Sequence, residues 1–547
     1  MMKTLKRYIV LLLLFATQNC AKSEIFIRTS QVGFAPENFK SAIILSAVNL
    51  ENEAFYILDA RSKRIDFQGK IDKSKGTFGK FPFSYKIDFT NFSKEGSYVI
   101  AVKANKSIEF KIDKNLFALV IKELMRFFPV QRCGYTNPIG HQVCHIADAT
   151  YLVDGDKVLS ETIDVTGGWH DAGDYVKFFN TTAVTTYTLL FAYDLNKVKL
   201  DFDYDKNGVP DILEEVKVGL DWLLRAQTKD NRFITQVQNL QDHEVGWRLP
   251  EDDSLTFNRP AYIGIGKNLI GIYSAALSLA SRIWKKEFHD DEFSKICLES
   301  AEKYYKIRNE VADIDSSGSG QYLDKSFKGK LALGASELYL STKDRSYLKD
   351  AFEYATDEGG NYWWSYGDIS TFAHYRLAKY DKSFKHLIKQ SLIHFNKHSR
   401  DKLFGETVAL GWGSNVTLLG TAIQASLYEK LSRRKHYDSL KYTIRDYMLG
   451  RNQWGISFVS NVGKNYSKYL HHQISYLNKI TLPGGFAAGA TSKSSLESYN
   501  LPFERRDKYL RFQTEFAFYR DDRMDYVTNE PTIIGNAMAI LFFSFLK

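Results

Sequence analysis

Two textures of hydrophobic patterning divide the chain. Between Glu24 and Asp113 the apolar residues come in short runs, at 25–27, 42–45, 55–58, 84–87 and 98–102. Polar and glycine-bearing turns such as Lys94-Glu95-Gly96-Ser97 separate them, which predicts a small β-sandwich. From about Asn115 the period changes. Apolar residues recur at helical spacing over 216–227, 269–284, 331–341, 418–431 and 533–545, so this part reads as mainly α. Long loops rich in Gly, Asp, Asn and Trp join these helices, and such loops on a rigid scaffold are where function concentrates.

The first residues follow neither pattern. Lys3, Lys6 and Arg7 precede an apolar run at 8–16 that is too short to span a bilayer, which reads as an export signal. Cys20 stands where a lipoprotein-processing cysteine would, although Thr17-Gln18-Asn19 before it is a poor processing motif; ordinary cleavage nearby is the alternative. The expected organisation is a signal segment at 1–22, a β-sandwich at 24–113 and a helical domain at 115–547. The protein is therefore expected to be exported: secreted, periplasmic or an outer-membrane lipoprotein.

Composition adds little to this. Across 547 residues the apolar fraction is 44% and the aromatic fraction 14%, enough for a large core with rings to spare for sugar stacking. The net charge of +9 is spread without a basic run interleaved with aromatics, so a nucleic-acid partner is not expected. Beyond Cys20 the cysteines are Cys133, Cys144 and Cys297, an odd number that suits a disulfide framework badly.

Two segments carry candidate chemistry. In Gly167-Gly168-Trp169-His170-Asp171-Ala172-Gly173-Asp174-Tyr175, two carboxylates separated by small residues can converge on one volume and deprotonate a water; a capping or calcium-binding loop is the alternative. Near the C-terminus, 519–532 reads YRDDRMDYVTNEPT and is followed by Gly535-Asn536-Ala537. Its Glu530, just before an apolar helix, is either a reactive acid or a charge at a helix N-terminus.

Together these segments resemble glycoside hydrolase family 9, endoglucanases with an (α/α)6-barrel catalytic domain. Further matches follow in order along nearly the whole mature chain. They are Ser30-Gln31-Val32-Gly33-Phe34, Gln131-Arg132-Cys133-Gly134 and the stretch from Asn207 to Glu215. Trp412-Gly413-Ser414-Asn415, Leu449-Gly450-Arg451-Asn452, Ser457-Phe458-Val459, Gly463 and His471-His472 complete the set. The resemblance implies an immunoglobulin-like β-sandwich before the barrel and an inverting hydrolase. It also implies Asp174 as general base, Asp171 positioning the nucleophilic water and Glu530 as general acid. His471 would bind sugar hydroxyls, and Asp521 and Tyr526 share the signature of Glu530. The chain departs from the pattern at Gln473, where an arginine usually follows the two histidines, and at Pro531; with His472, Gln473 is expected on the substrate side of the site.

Two metal sites are expected. Cys133, Cys144, His145 and His170 form a set suited to tetrahedral zinc. Their spacing is irregular, and a buried thiol pair or a disulfide is the alternative; the resemblance favours a structural zinc bracing the catalytic loop. Asp203, Asp205, Asn207, the Val209 carbonyl, Asp211 and Glu214 follow calcium-loop spacing with Gly208 at the sixth position, against the alternative of a polar turn. Trp169, Trp247, Trp363, Trp364 and Trp412 are the stacking candidates, with Trp247 and Trp364 preferred, and His243 and Arg259 are candidates for binding hydroxyls. The leading function is a monomeric endo-β-1,4-glucanase acting on cellulose-like, mixed-linkage or decorated β-glucan. The alternatives are an exo-acting β-glycosidase, such as a glucosaminidase or cello-oligosaccharide hydrolase, and a non-catalytic glycan-binding lipoprotein on the same fold.

Overall fold

The computed structural model describes residues 24–320 and 322–546, so the expected export signal and Cys20 lie outside the described residues. All five strand-like runs are strands. Ile25–Arg28, Ser41–Ser46 and Phe83–Asp88 make one antiparallel sheet. Ala54–Asp59 pairs with Gly96–Val102 and Ile65–Lys70 in a second sheet. The side-chain alternation of Ser41–Ser46 explains why it is buried throughout: Ala42 and Ile44 face the sandwich core, whereas Ile43 and Leu45 face the helical domain. Ile65–Lys70 escapes the pattern because it is a polar edge strand with little to bury.

Six helices form a closed inner ring: Phe179–Leu200, Lys267–Glu287, Lys328–Thr342, Ser370–Leu377, Ser414–Ser432 and Ile533–Ser544, each packed on its two neighbours. Most of these helices touch protein on all sides and carry only a weak apolar stripe, Lys267–Glu287 being the exception; every residue of Ile533–Ser544 is buried. Six outer helices lean on them: Phe117–Met125, Asp211–Arg225, Asp291–Lys306, Arg345–Glu358, Lys382–Ser399 and Asp438–Met448. These are one-sided; Arg345–Glu358 buries Tyr347, Ala351 and Ala355, four residues apart on one face. The result is an (α/α)6 barrel beside an immunoglobulin-like sandwich. Each helical run read from the sequence falls on a barrel helix, although the reading at 216–227 runs two residues beyond Arg225. A five-stranded sheet built from Tyr151–Asp154, Lys157–Leu159, Lys177–Phe178, Phe233–Val237 and Pro260–Gly264 lies in the loops at the barrel mouth and has no counterpart in the sequence reading.

Gln31 fastens the two domains. Its backbone N–H donates to the Leu449 carbonyl (2.8 Å), its Nε2 donates to the carbonyls of Gly455 and Asn465, and its Oε1 accepts from the N–H groups of Lys464 and Asn465. No helix among the described residues is long and apolar enough to cross a membrane.

Candidate active site and metal cluster

Three loop segments at one end of the barrel are laced together by backbone hydrogen bonds. The Ile533 N–H donates to the Asp171 carbonyl (2.9 Å), the His471 N–H to Asn529 (3.1 Å) and the Gln473 N–H to Gly173 (3.2 Å). The contact at Gly173 is close enough to require glycine, because a Cβ there would lie 2.3 Å from the His471 carbonyl oxygen. The same glycine donates its N–H to Glu530 Oε1 (3.2 Å), which places Glu530 against the residue next to Asp174. Asp171, Asp174 and Glu530 thus converge although 356 positions separate Asp174 from Glu530 in sequence.

Their environments differ. Asp171 is fully buried, accepts from the Thr181 hydroxyl and has Tyr322 alongside; burial, with the charge of Asp174, pushes its carboxyl up to about 7. Burial, then the neighbouring Asp174, raises Glu530 well above the ordinary carboxylate range. Asp174 is the most open of the pair in its own loop, with its side chain 18% exposed. It accepts from the Val176 N–H (3.1 Å) and pairs with His243 Nε2 (2.8 Å). Three carboxyls that cannot all be charged, one of them reached by solvent, suit the division of labour between a base and an acid.

His471 presents a defined tautomer. Its Nδ1 lies 2.6 Å from the Arg523 carbonyl and must carry the proton, and burial lowers its basicity to about 4, so the ring is neutral with a bare Nε2 acceptor. Trp247 packs on its edge at 5.1 Å and Tyr526 at 5.8 Å. Tyr526 also touches Trp412, which is half exposed. These rings flank the carboxylates as sugar-stacking surfaces would.

Other expected substrate contacts lie elsewhere. Trp169 is buried behind the loop, where its indole donates to Glu215, and a side chain at Gly219 would collide with it. Trp364 is a core residue packed on Gly420 and Phe372. His472 is buried; its Nε2 lies 2.6 Å from Gln131 Oε1, and Gln131 in turn donates to the carbonyls of His170 and Ala172. It therefore props the loop carrying Asp171 and Asp174 from behind. Gln473 is 5% exposed and accepts from the Arg248 N–H (3.1 Å), so its amide is engaged in packing and not on an open face. Asp521 is spent on the N–H groups of Lys468 and Tyr469 and on Lys508. Arg259 is fully buried against Asp148, and no loop hydroxyl-binding role is open to it. His243 is in the site, but on Asp174 itself. Trp363 is 44% exposed on another loop.

Cys133, Cys144, His145 and His170 come together, with one ligand atom from each within 4.8 Å of all the others. Both cysteines are free thiols, which removes the disulfide alternative. The His145 Nδ1 to His170 Nε2 distance is 3.3 Å, and the sulfur–nitrogen distances are 3.8 and 3.9 Å. A tetrahedral ion with metal–nitrogen bonds of about 2.0–2.1 Å and metal–sulfur bonds of about 2.3 Å needs roughly 3.3 and 3.6 Å, so the residues fit such an ion with little movement. Behind the cluster, His145 Nε2 pairs with Asp253 (2.9 Å), and Arg248 bridges Asp253 to Asp242, which accepts from the Tyr175 N–H beside Asp174. Asp242, Arg248 and Asp253 sit in an ordinary polar loop with no spacing signature, so sequence alone does not mark them as supports of this cluster. In the loop from Asp203 to Glu214 the carboxylates hold loop amides instead: Asp203 accepts from Gly208, Asp211 from Tyr204, and Asp205 and Glu214 from the Asn207 side chain.

The cellulase N-terminal ig-like domain model matches residues 22–107, and the glycosyl hydrolase family 9 model matches residues 117–543. The chain is 26% identical to a cellodextrinase of Butyrivibrio fibrisolvens, covering 95% of this chain and 99% of that protein. It is 23% identical to a xyloglucan-specific endo-beta-1,4-glucanase of Bacteroides ovatus, covering 95% and 93%. Among solved structures, a metagenome-derived family 9 endoglucanase superposes with a TM-score of 0.81 at 25% identity, covering 95% of this chain and 98% of that one. A Zn-binding triple mutant of another family 9 endoglucanase superposes with a TM-score of 0.80 at 21% identity, covering 94% and 99%.

Proposed function

The chain belongs to glycosyl hydrolase family 9, and on that premise we propose that it is an inverting endo-β-1,4-glucanase in which Asp174 is the base and Glu530 the acid. The observation that carries this reading is the hydrogen bond from Gly173 to Glu530, which sets a buried, proton-holding carboxyl beside the loop of a more open one. Asp174 takes a proton from water as the water oxygen bonds to the anomeric carbon. Asp171 helps to orient that water. Glu530 gives its proton to the departing glycosidic oxygen as the old bond breaks. The bare Nε2 of His471 accepts from a sugar hydroxyl, and Trp247 and Tyr526 receive ring faces.

The similarity to a cellodextrinase over nearly the full length of both chains supports a second reading, trimming of short oligosaccharides from an end. The two separate on a soluble β-glucan. An endo-acting enzyme makes viscosity collapse while reducing ends are still few, whereas an end-trimming enzyme releases reducing ends with viscosity almost unchanged. The first outcome is expected, and the second would replace the endo assignment.

Because Glu530 must be protonated to act and its carboxyl is raised, activity is retained through the ordinary carboxylate range and is lost as pH rises through the higher value. The alkaline limb of kcat/KM should therefore report Glu530. Removing the neighbouring charge with Asp174→Asn should lower the Glu530 pKa, as carboxyl-carbon NMR titration would read. An unmoved Glu530 titration would show that Asp174 does not act on it.

We further propose that Cys133, Cys144, His145 and His170 hold zinc. When bound it supplies a structural crosslink: His170 precedes Asp171, so the ion fixes the start of the catalytic loop, and its distance in role from the reacting bond leaves the acid–base chemistry to the carboxyls. The spacing of Asp203, Asp205, Asn207, Val209, Asp211 and Glu214 supports a calcium site at the entry to the helix Asp211–Arg225, where an ion would take the place of the amide donors that these carboxylates now accept from. Export, with or without a lipid at Cys20, is proposed from the N-terminal sequence alone.

A further inference from the structure

The seam between the sandwich and the barrel contains a cavity that none of Asp171, Asp174 and Glu530 lines, although Tyr466 and Lys468 on its wall stand on the segment that leads to His471. It has a volume of about 320 Å³ and is lined by Phe26, Trp454, Tyr466, Tyr509 and Phe512. That volume falls within the range of about 300–1,000 Å³ usual for small-molecule sites, which favour domain interfaces and aromatic walls with a few placed polar groups. The charged groups of the lining are all cationic, Arg28, Lys468 and Lys508, with Asn465 as a neutral polar neighbour.

Arg28 is the unusual member. Its guanidinium lies over the Phe512 ring at 4.4 Å and near Phe26 at 5.5 Å, with Nε donating to the Gln453 carbonyl at 3.0 Å. Among the described residues it forms no ion pair, and residues 1–23 contain no acidic residue that would supply one. Burial without a carboxylate lowers its pKa to about 10. Gly455 makes room for it, since a Cβ there would lie 2.4 Å from Nη1. A guanidinium flattened on an aromatic ring, with Nε engaged, keeps its Nη edge for a planar two-oxygen acceptor. Lys468, exposed at the cavity, likewise has no ion-pair partner among the described residues, while Lys508 is satisfied by Asp521 (2.9 Å). A second cavity of about 150 Å³ shares Phe26, Arg28 and Asn465 with the first, so Arg28 stands between two open volumes.

We infer that this seam cavity binds a carboxylated sugar, a uronic or aldonic acid, with the carboxylate on the Arg28 fork and the ring against the aromatic wall. The carboxylate half of the inference stands on the cavity alone; the choice of a sugar as its carrier rests on the glycosidase reading. The site is separate from the catalytic carboxylates, so hydrolysis of cellohexaose measured in parallel distinguishes failure of this inference from failure of that reading.

Calorimetric titration of the mature protein, with saturating cellobiose present to occupy the cleft, tests it with four probes: glucuronate, cellobionate, glucose and inorganic phosphate. Glucuronate and cellobionate should bind and glucose should not. Arg28→Gln should weaken binding by at least about tenfold, as expected for loss of a charge-assisted pair. Should Arg28→Gln loosen the domain seam, as judged by its unfolding curve, Lys468→Ala decides: it leaves Arg28 in place and should still weaken both acids. Equal binding of phosphate and glucuronate would reduce the cavity to an anion site and overturn the inference. So would binding of glucose, no heat from either acid, or wild-type affinity in the variants.

Discussion

Glu530→Gln is expected to lower kcat on natural β-glucan by about 10²–10⁴-fold, the usual worth of general acid help, with little change in thermal unfolding. The glutamine keeps the shape and can still accept from the Gly173 N–H, but it holds no acidic proton. Asp174→Ala should cost as much for a different reason. It removes the group that deprotonates water, at the expense of only a hydrogen bond to half-exposed His243 and one to Val176. Aryl cellobiosides separate the two roles. A leaving group that departs without protonation should restore much of the activity of Glu530→Gln and little of that of Asp174→Ala. Near-normal turnover of natural substrate by either variant would remove that residue from the mechanism, and equal rescue of both would exchange or abolish the assigned roles.

The second large effect concerns the metal cluster. Purified protein should contain a single zinc per chain, and Cys144→Ser should lose it. Breaking the set leaves three buried ligands around a void, next to Asp253, Arg248 and Arg259 in a network of buried charges. Such a loss should lower Tm by on the order of 5 °C: each kcal/mol moves a 150–250-residue domain by about 2–4 °C and a larger one by less, but loss of a structural zinc removes several kcal/mol at once. Activity should fall as well, because His170 and Asp171 are adjacent. Metal analysis that finds no zinc, or a Cys144→Ser protein with unchanged Tm and turnover, would make the cluster a simple buried thiol–imidazole group.

What was legible in the sequence follows from which residues carry a periodic or local signal. The strands at 42–45 and 98–102 and the helices at 269–284 and 418–431 are apolar enough to be read on their own. The inner helix Phe179–Leu200 was not, because its buried face includes Asn180, Thr181, Thr182, Thr185, Thr186 and Thr188, polar residues that break the apolar pattern; Thr186 and Thr188 donate back to carbonyls four residues earlier, and Thr181 and Asn180 bond to Asp171 and Asp324. Outer helices such as Lys382–Ser399 are mostly polar, and only a stripe through Phe384, Ile388, Leu392 and Phe395 marks them. In the site, Asp171, Asp174, Glu530 and His471 were legible because short motifs bear them, whereas Cys133, Cys144, His145 and His170 were legible as a set by residue type and family resemblance despite irregular spacing; the structure brings each group together. The tryptophans were not, since residue type alone does not distinguish Trp247 at the site from Trp364 in the core. Nor did sequence reveal the partners that hold the loop, Gln131, Asp242, Arg248 and Asp253, each of which acts through a contact between distant segments.

Inversion requires two carboxyls acting from opposite sides of a glycosidic bond, with water between base and sugar. Proton NMR of the first product released from a β-1,4-linked cello-oligosaccharide, recorded before mutarotation, tests this most directly. The α-anomer is expected to appear first and to decay toward the equilibrium mixture. A β-anomer appearing first would mean net retention, and with it a nucleophilic carboxylate in place of the water held by Asp174 and Asp171.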